Sequence, residues 1–127
     1  MACNDGAGEP LSSLKGTQWK LVSFSVEPLQ SQCETCFTLI FNEDSTLSGF
    51  SSANLLAGTY MMNAKDTTRI LLTIHTATFV YEQSNGTQYI EALNAVQFFS
   101  IYKDTLILYY NNKKNYLLFK PFKNYKS

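Results

Sequence analysis

Short runs in which apolar and polar residues alternate, each closed by a turn-forming cluster, recur along most of this chain and point to antiparallel sheet. Phe37, Leu39 and Phe41 fall on one face of such a run; Ile70, Leu72 and Ile74 fall on one face of another, continued by Thr76 and Thr78, with Thr73 and His75 opposite. A strand sends successive side chains to opposite faces, so a period of two marks a strand with one buried side. The punctuation agrees: Asn42-Glu43-Asp44-Ser45, Asn63 to Thr68, Lys103-Asp104 and Asn111-Asn112-Lys113-Lys114 are rich in residues that turn the chain. About eight strands follow: 19–26, 37–41, 46–50, a segment resuming before Tyr60 and running through Met62, 70–78, Phe98 to Tyr102, Thr105 to Tyr110 and Asn115 to Phe119. In the first, the apolar positions change phase between Leu21 and Phe24, which predicts a bulge. Gly49 and Gly58 bracket what reads as a loop-like insert, where glycine permits sharp or left-handed turns.

One helix interrupts the pattern. Tyr89, Leu93 and Val96 recur at helical spacing over Thr87 to Asn94, a helix of about residues 86–95, and Asn85 with Gln88 has the spacing of a capping box. It precedes the last three strands and should close one side of the sheet. With eight Tyr and nine Phe in 127 residues, the composition suits half-buried pleated surfaces. The fold class is mostly β in a single domain: a tether at 1–10, the domain at 11–122 and a tail at 123–127.

Ten basic and ten acidic residues cancel, so no global field draws the chain to nucleic acid. Lys103, Lys113, Lys114, Lys120, Lys123 and Lys126 crowd the C-terminal third, where lysines at turns and sheet edges resist aggregation. No run of about 18 apolar residues is present to span a membrane as a helix. Cys3 is followed by the polar, glycine-containing Asn4 to Pro10, the pattern of a lipoprotein cut near its acylation site. We therefore expect Cys3 to be lipidated, the membrane to be met only through that anchor, and a flexible tether of roughly ten residues to span about 20 Å root-mean-square.

Cys33 and Cys36 form a Cys-x-x-Cys ahead of a strand rather than a helix. A zinc site lacks its second ligand pair. A short structural disulfide, a pair of free thiols and a redox pair stay open as readings. The single histidine, His75, is read as solvent-facing, and Asp44, Asp66 and Asp104 sit at turns beside Ser or Thr, where aspartate serves local hydrogen bonds. No nucleophile elbow, phosphate loop or metalloprotease motif is present, so no catalytic, cofactor-binding or metal-ligating residue is expected.

Several segments, in order, resemble the META domain (HslJ-like) family of bacterial envelope lipoproteins. Leu14 to Val22 is similar to its opening, with Gly16 and Trp19; Phe41 to Phe50, with Gly49, and Asn54 to Tyr60, with Gly58, resemble its central signature. Tyr89 to Val96, with Leu93, and Asp104 to Leu108, with Leu106, resemble its helix and a following strand. The resemblance implies an antiparallel, partly open barrel with one helix, and exported proteins linked to stress or drug tolerance. It implies no catalytic residues. Where many members carry Gly-Cys-Asn this chain has Ser52-Ala53-Asn54, so a disulfide made there by relatives is absent, with Cys33 and Cys36 as this chain's own substitute.

The function expected is a non-catalytic, monomeric binding or stress-related module of the cell envelope, taking an envelope protein or a small hydrophobic ligand. A structural accessory of an envelope assembly is the alternative, and an unrecognised hydrolase a weaker one. Tyr60, Tyr102, Tyr109, Tyr110 and Tyr116 are candidates for a cleft rim, because tyrosine joins apolar area to a polar tip.

Overall fold

The computed structural model describes residues 13–30 and 33–122. Cys3 and its neighbours, and the tail at 123–127, lie outside the described residues. Eight strands and one helix follow in the order β1 (Gln18–Phe24), β2 (Thr38–Phe41), β3 (Thr46–Phe50), β4 (Leu55–Met62), β5 (Ile70–Thr76), α1 (Gly86–Ala95), β6 (Val96–Tyr102), β7 (Thr105–Tyr110) and β8 (Asn115–Pro121). All pair antiparallel in one sheet of order β5-β4-β3-β2-β1-β8-β7-β6, which curls into a nearly closed barrel. The expected bulge is present, as the β1–β8 register shifts between Leu21 and Ser23. It lets Trp19, Leu21 and Phe24 all turn inward despite their broken alternation.

The seam lies between β5 and β6. At one end it is bridged directly, Arg69 pairing with Phe98 and the Phe99 N–H donating to the Thr68 carbonyl at 2.8 Å. Farther along, α1 does the bridging. The Asn94 carboxamide accepts from the Ile74 N–H at 2.8 Å and donates to the Ile74 carbonyl at 3.0 Å, as a neighbouring strand would. An exposed strand edge invites pairing with another chain, and this contact covers part of it.

The interior is filled with side chains. Trp19, Phe37, Leu39, Phe41, Tyr89, Leu93, Leu106, Leu108, Leu117 and Phe119 have no exposed surface. Tyr89 reaches from the helix into the barrel, stacks edge-on against Phe37 at 5.3 Å and donates its hydroxyl to the Thr38 carbonyl at 2.9 Å. Burial pushes that hydroxyl's pKa far up, so it is held as a donor.

Three expectations are corrected. Asn85 does not cap α1 with its side chain; it sits at φ 61°, and its carboxamide donates to Glu27 and to the Pro28 carbonyl and accepts from the Gln30 N–H. The loop after β1 competes successfully for the side chain, and no capping box forms. The helix ends at Ala95 as expected, but the strand after it does not wait for Phe98: Val96 is already extended, and β6 begins two residues earlier. Gly49 and Gly58 are strand residues, not turn formers: a Cβ on Gly49 would lie 2.4 Å from the Thr38 carbonyl oxygen and one on Gly58 1.9 Å from that of Thr73. Glycine is needed there for the close approach of neighbouring strands.

Candidate binding surface

Cross-strand register gives the barrel two distinct ends. At one, Lys15 bridges to Phe41, and Thr46 faces Thr59, Met62 faces Ile70 and Tyr102 faces Thr105. The described chain enters there, Gly16 at φ 83° donating its N–H to the Phe41 carbonyl at 2.9 Å. The other end holds Thr38 beside Phe50, Leu55 beside Phe50 and Leu56 beside Thr76. The segment that follows β5, Ala77 to Asn85, crosses this far end.

Its apolar residues point outward. Phe79 is 92% exposed and Tyr81 94%, with Val80 between them and Leu55 nearby also exposed. Solvated aromatics are ordinary on a loose loop, but this backbone is pinned. The buried Asn54 carboxamide accepts from the Val80 N–H at 2.8 Å and donates to the Val80 carbonyl at 2.7 Å, reading both polar groups of one residue. The same carboxamide accepts from the Thr78 hydroxyl at 2.8 Å and donates to Glu82 at 2.6 Å.

Glu82 is the second anchor. Its carboxylate accepts from the Ser51 hydroxyl at 2.7 Å, the Ser52 hydroxyl at 2.7 Å and the Ser52 N–H at 3.2 Å, besides Asn54. Burial alone would raise its pKa; the donors on Asn54, Ser52 and Ser51 overcome this and hold the group below the usual carboxylate range. Gly86 packs against this cluster: a Cβ there would lie 2.2 Å from a Glu82 carboxylate oxygen and 2.3 Å from the Ser52 hydroxyl. A cleft of 430 Å³ beside the loop is lined by Asn54, Thr76, Thr78, Phe79, Val80, Tyr81, Glu82 and Ile90.

The disulfide joining Cys33 to Cys36 flanks the cluster, since the Phe37 N–H donates to the Ser51 carbonyl at 3.3 Å. Lys20 caps the turn from below, its ammonium donating to the Cys33 carbonyl at 3.0 Å and to that of Cys36. Burial lowers the Lys20 pKa, partly countered by Glu34. In this structure the Cys-x-x-Cys is a bonded pair at a turn.

The tyrosines expected on one rim are not brought together. Tyr60 is core, its ring edge-on to Phe41 at 5.1 Å and its hydroxyl donating to the Asn42 carbonyl at 2.6 Å. Tyr109 and Tyr116 pair across β7 and β8 on the outer wall, Tyr110 packs beneath the helix, and Tyr102 stands exposed at the entry end. Tyr60 keeps a structural role with Gly16, Trp19, Gly49, Asn54, Gly58, Leu93 and Leu106; Trp19 donates its indole N–H to the Leu14 carbonyl at 3.1 Å. His75 is exposed on β5, as expected. Sequence reasoning did not single out Glu82, Ser51, Ser52 or the Phe79 to Tyr81 run. The one available signal was three consecutive apolar residues just past the end of a strand.

A family model described as META domain matches residues 12–122. Among solved structures, the chain is similar to a DUF4847 family protein from Bacteroides vulgatus, at TM-score 0.63 and 21% identity, over 84% of this chain and 93% of that one. It is also similar to a protein from Burkholderia xenovorans solved by NMR, at TM-score 0.67 and 17% identity, over 97% of both chains. Those likenesses speak for the fold alone. No curated protein matches. With nearly the whole described chain covered by that model, the protein belongs to the META domain family.

Proposed function

We propose that this chain is a non-catalytic binding module of the bacterial cell envelope, anchored through an acylated Cys3, which engages an envelope protein through the Phe79 to Tyr81 loop. The observation that carries the reading is the pairing of two rings more than nine-tenths exposed with a backbone held by a buried carboxamide and a multiply bonded carboxylate. Exposed aromatics on a preorganised backbone have the character of contact residues, because ordering costs are met before the partner arrives. The filled interior weighs against a ligand held inside the barrel. Ser51 and Ser52 direct their hydroxyls at Glu82, so the polar groups of the cluster serve to hold the loop.

The test is a photoreactive phenylalanine analogue placed at position 79, 81 or, as a control on the outer wall, 109, in cells of the native host. A discrete adduct from 79 and 81 but not 109 is expected; equal yield from all three, or none, rejects the loop as the contact. Metabolic labelling with an alkyne fatty acid tests the anchor separately. Label on wild type that is lost in C3S is expected, and unlabelled wild type rejects lipidation.

A further inference from the structure

A second apolar patch lies on the opposite end of the barrel from the Phe79 loop. Met61 and Leu71 are cross-strand partners at the end of β4 and the start of β5, and their side chains are 68% and 56% exposed on the outer wall. Met62 is exposed beside them. The three line two adjoining clefts. One, of 410 Å³, runs along the seam to Ile70, Val96, Arg69 and Gln97; the other, of 520 Å³, includes Lys15, Asp44, Tyr60 and Thr73. The outer face turns polar away from this end, as the next pair along it is Thr59 with Thr73.

Lys15 ties this patch to the start of the chain. It belongs to the point where the described chain enters the barrel, and it lines the same cleft as Met61, Met62 and Leu71. The chain outside the described residues therefore starts beside the patch. Cys3 lies ten residues before Ser13. Whatever path those residues take, a trans chain spans at most about 3.6 Å per residue, so an acylated Cys3 cannot hold this end farther than about 36 Å from its anchor.

From this we infer that the Met61, Met62 and Leu71 corner rests in the headgroup boundary of the bilayer to which the chain is tethered, turning the Phe79 to Tyr81 loop away from the membrane. This rests on the anchoring proposed above. Apolar side chains entering that boundary are stabilised in proportion to the area they bury, and a lone acyl chain holds a protein only marginally without a second contact. A tether supplies a high local concentration of surface, so a small patch suffices. Lys15 has a stem long enough to leave its charge at headgroup level while its methylenes stay with the patch; the Arg69 guanidinium lies over the Phe98 ring at 4.7 Å. Asp44 shares the Lys15 cleft, and with charge so nearly balanced there, apolar insertion rather than attraction to anionic lipid supplies most of the hold.

The experiment replaces the biological anchor so that the two ideas fail separately. The full chain carrying C3S and an N-terminal hexahistidine tag is tethered to vesicles of phosphatidylethanolamine and phosphatidylglycerol doped with a nickel-chelating lipid. Brominated acyl chains then quench a tryptophan introduced by L71W or, independently, M61W, compared with Y81W, against the baseline set by the buried Trp19. For the L71W and M61W chains, quenching at least about twofold above that of Y81W is expected, changing little between low and high salt. Equal quenching of all three, or none above baseline, overturns the membrane contact. A protein covering the patch would give the latter result. Failure of fatty-acid labelling at Cys3 would instead remove the anchor without altering the vesicle result.

Discussion

Replacing Asn54 with Leu tests whether the Phe79 to Tyr81 loop is held by the carboxamide. Leu keeps the number and branching of the side chain's heavy atoms and deletes four hydrogen bonds: two to Val80, one with Thr78 and one with Glu82. Three neutral bonds at about 1 kcal/mol each and one charge-assisted bond at about 2 sum to about 5 kcal/mol. Val80 is 57% exposed and Glu82 is half-buried, so water reaches their freed groups once the loop lifts. We expect about 2–3 kcal/mol in urea unfolding followed by circular dichroism. The local effect should exceed the global one. Phe79 and Tyr81 are chymotrypsin sites on a backbone that resists entering a protease cleft while Asn54 holds it. N54L should be cut there well before global unfolding, whereas wild type should not. Cleavage at the wild-type rate, with stability changed by less than about 0.5 kcal/mol, would refute the locking role.

Three further outcomes are expected. Trp19→Ala empties a fully buried site near the start of β1 and removes the indole bond to Leu14, so it should cost roughly 3–5 kcal/mol and abolish cooperative thermal unfolding near room temperature; a stable, cooperative mutant would show that Trp19 is not core. Glu82 has a native pKa below its ordinary 4.5, so its contribution is complete above that value and lost as pH falls through the lowered native one. The stability difference between wild type and E82Q should therefore be flat near neutrality and shrink below about pH 4.5, and a difference constant down to pH 2 contradicts the assignment. The Cys33–Cys36 bond closes a loop with a sequence separation of only 3, so C33S/C36S should fold and lose no more than about 2 kcal/mol in denaturant titration.

The alternation in β2, β5, β7 and β8, the phase change in β1 and the helical spacing of Tyr89 and Leu93 were legible in the sequence. These signals are local: a period of two or of 3.6 is fixed by backbone geometry and by which face must be dry. Most of the family-marked residues were legible as well, though not their reasons. Gly49 and Gly58 look like turn residues until the neighbouring strand's carbonyl is found against them, and Tyr60 looks like a rim residue until its hydroxyl is seen to end on Asn42.

What only the tertiary structure decided is long-range. Asn54 and Glu82 are 28 positions apart, and nothing in the sequence between them marks a carboxamide and a carboxylate that share a bond. Asn85 shows the converse, since a capping pattern complete in sequence lost its side chain to Glu27 and Pro28, 58 and 57 positions away. The polarity of the barrel, with the chain entering beside Met61 and Leu71 and the aromatic loop at the far end, depends on strand register. Each strand's pattern fixes which residues face inward. Which ends of the strands lie together follows from how all eight are stacked, a property no single segment carries.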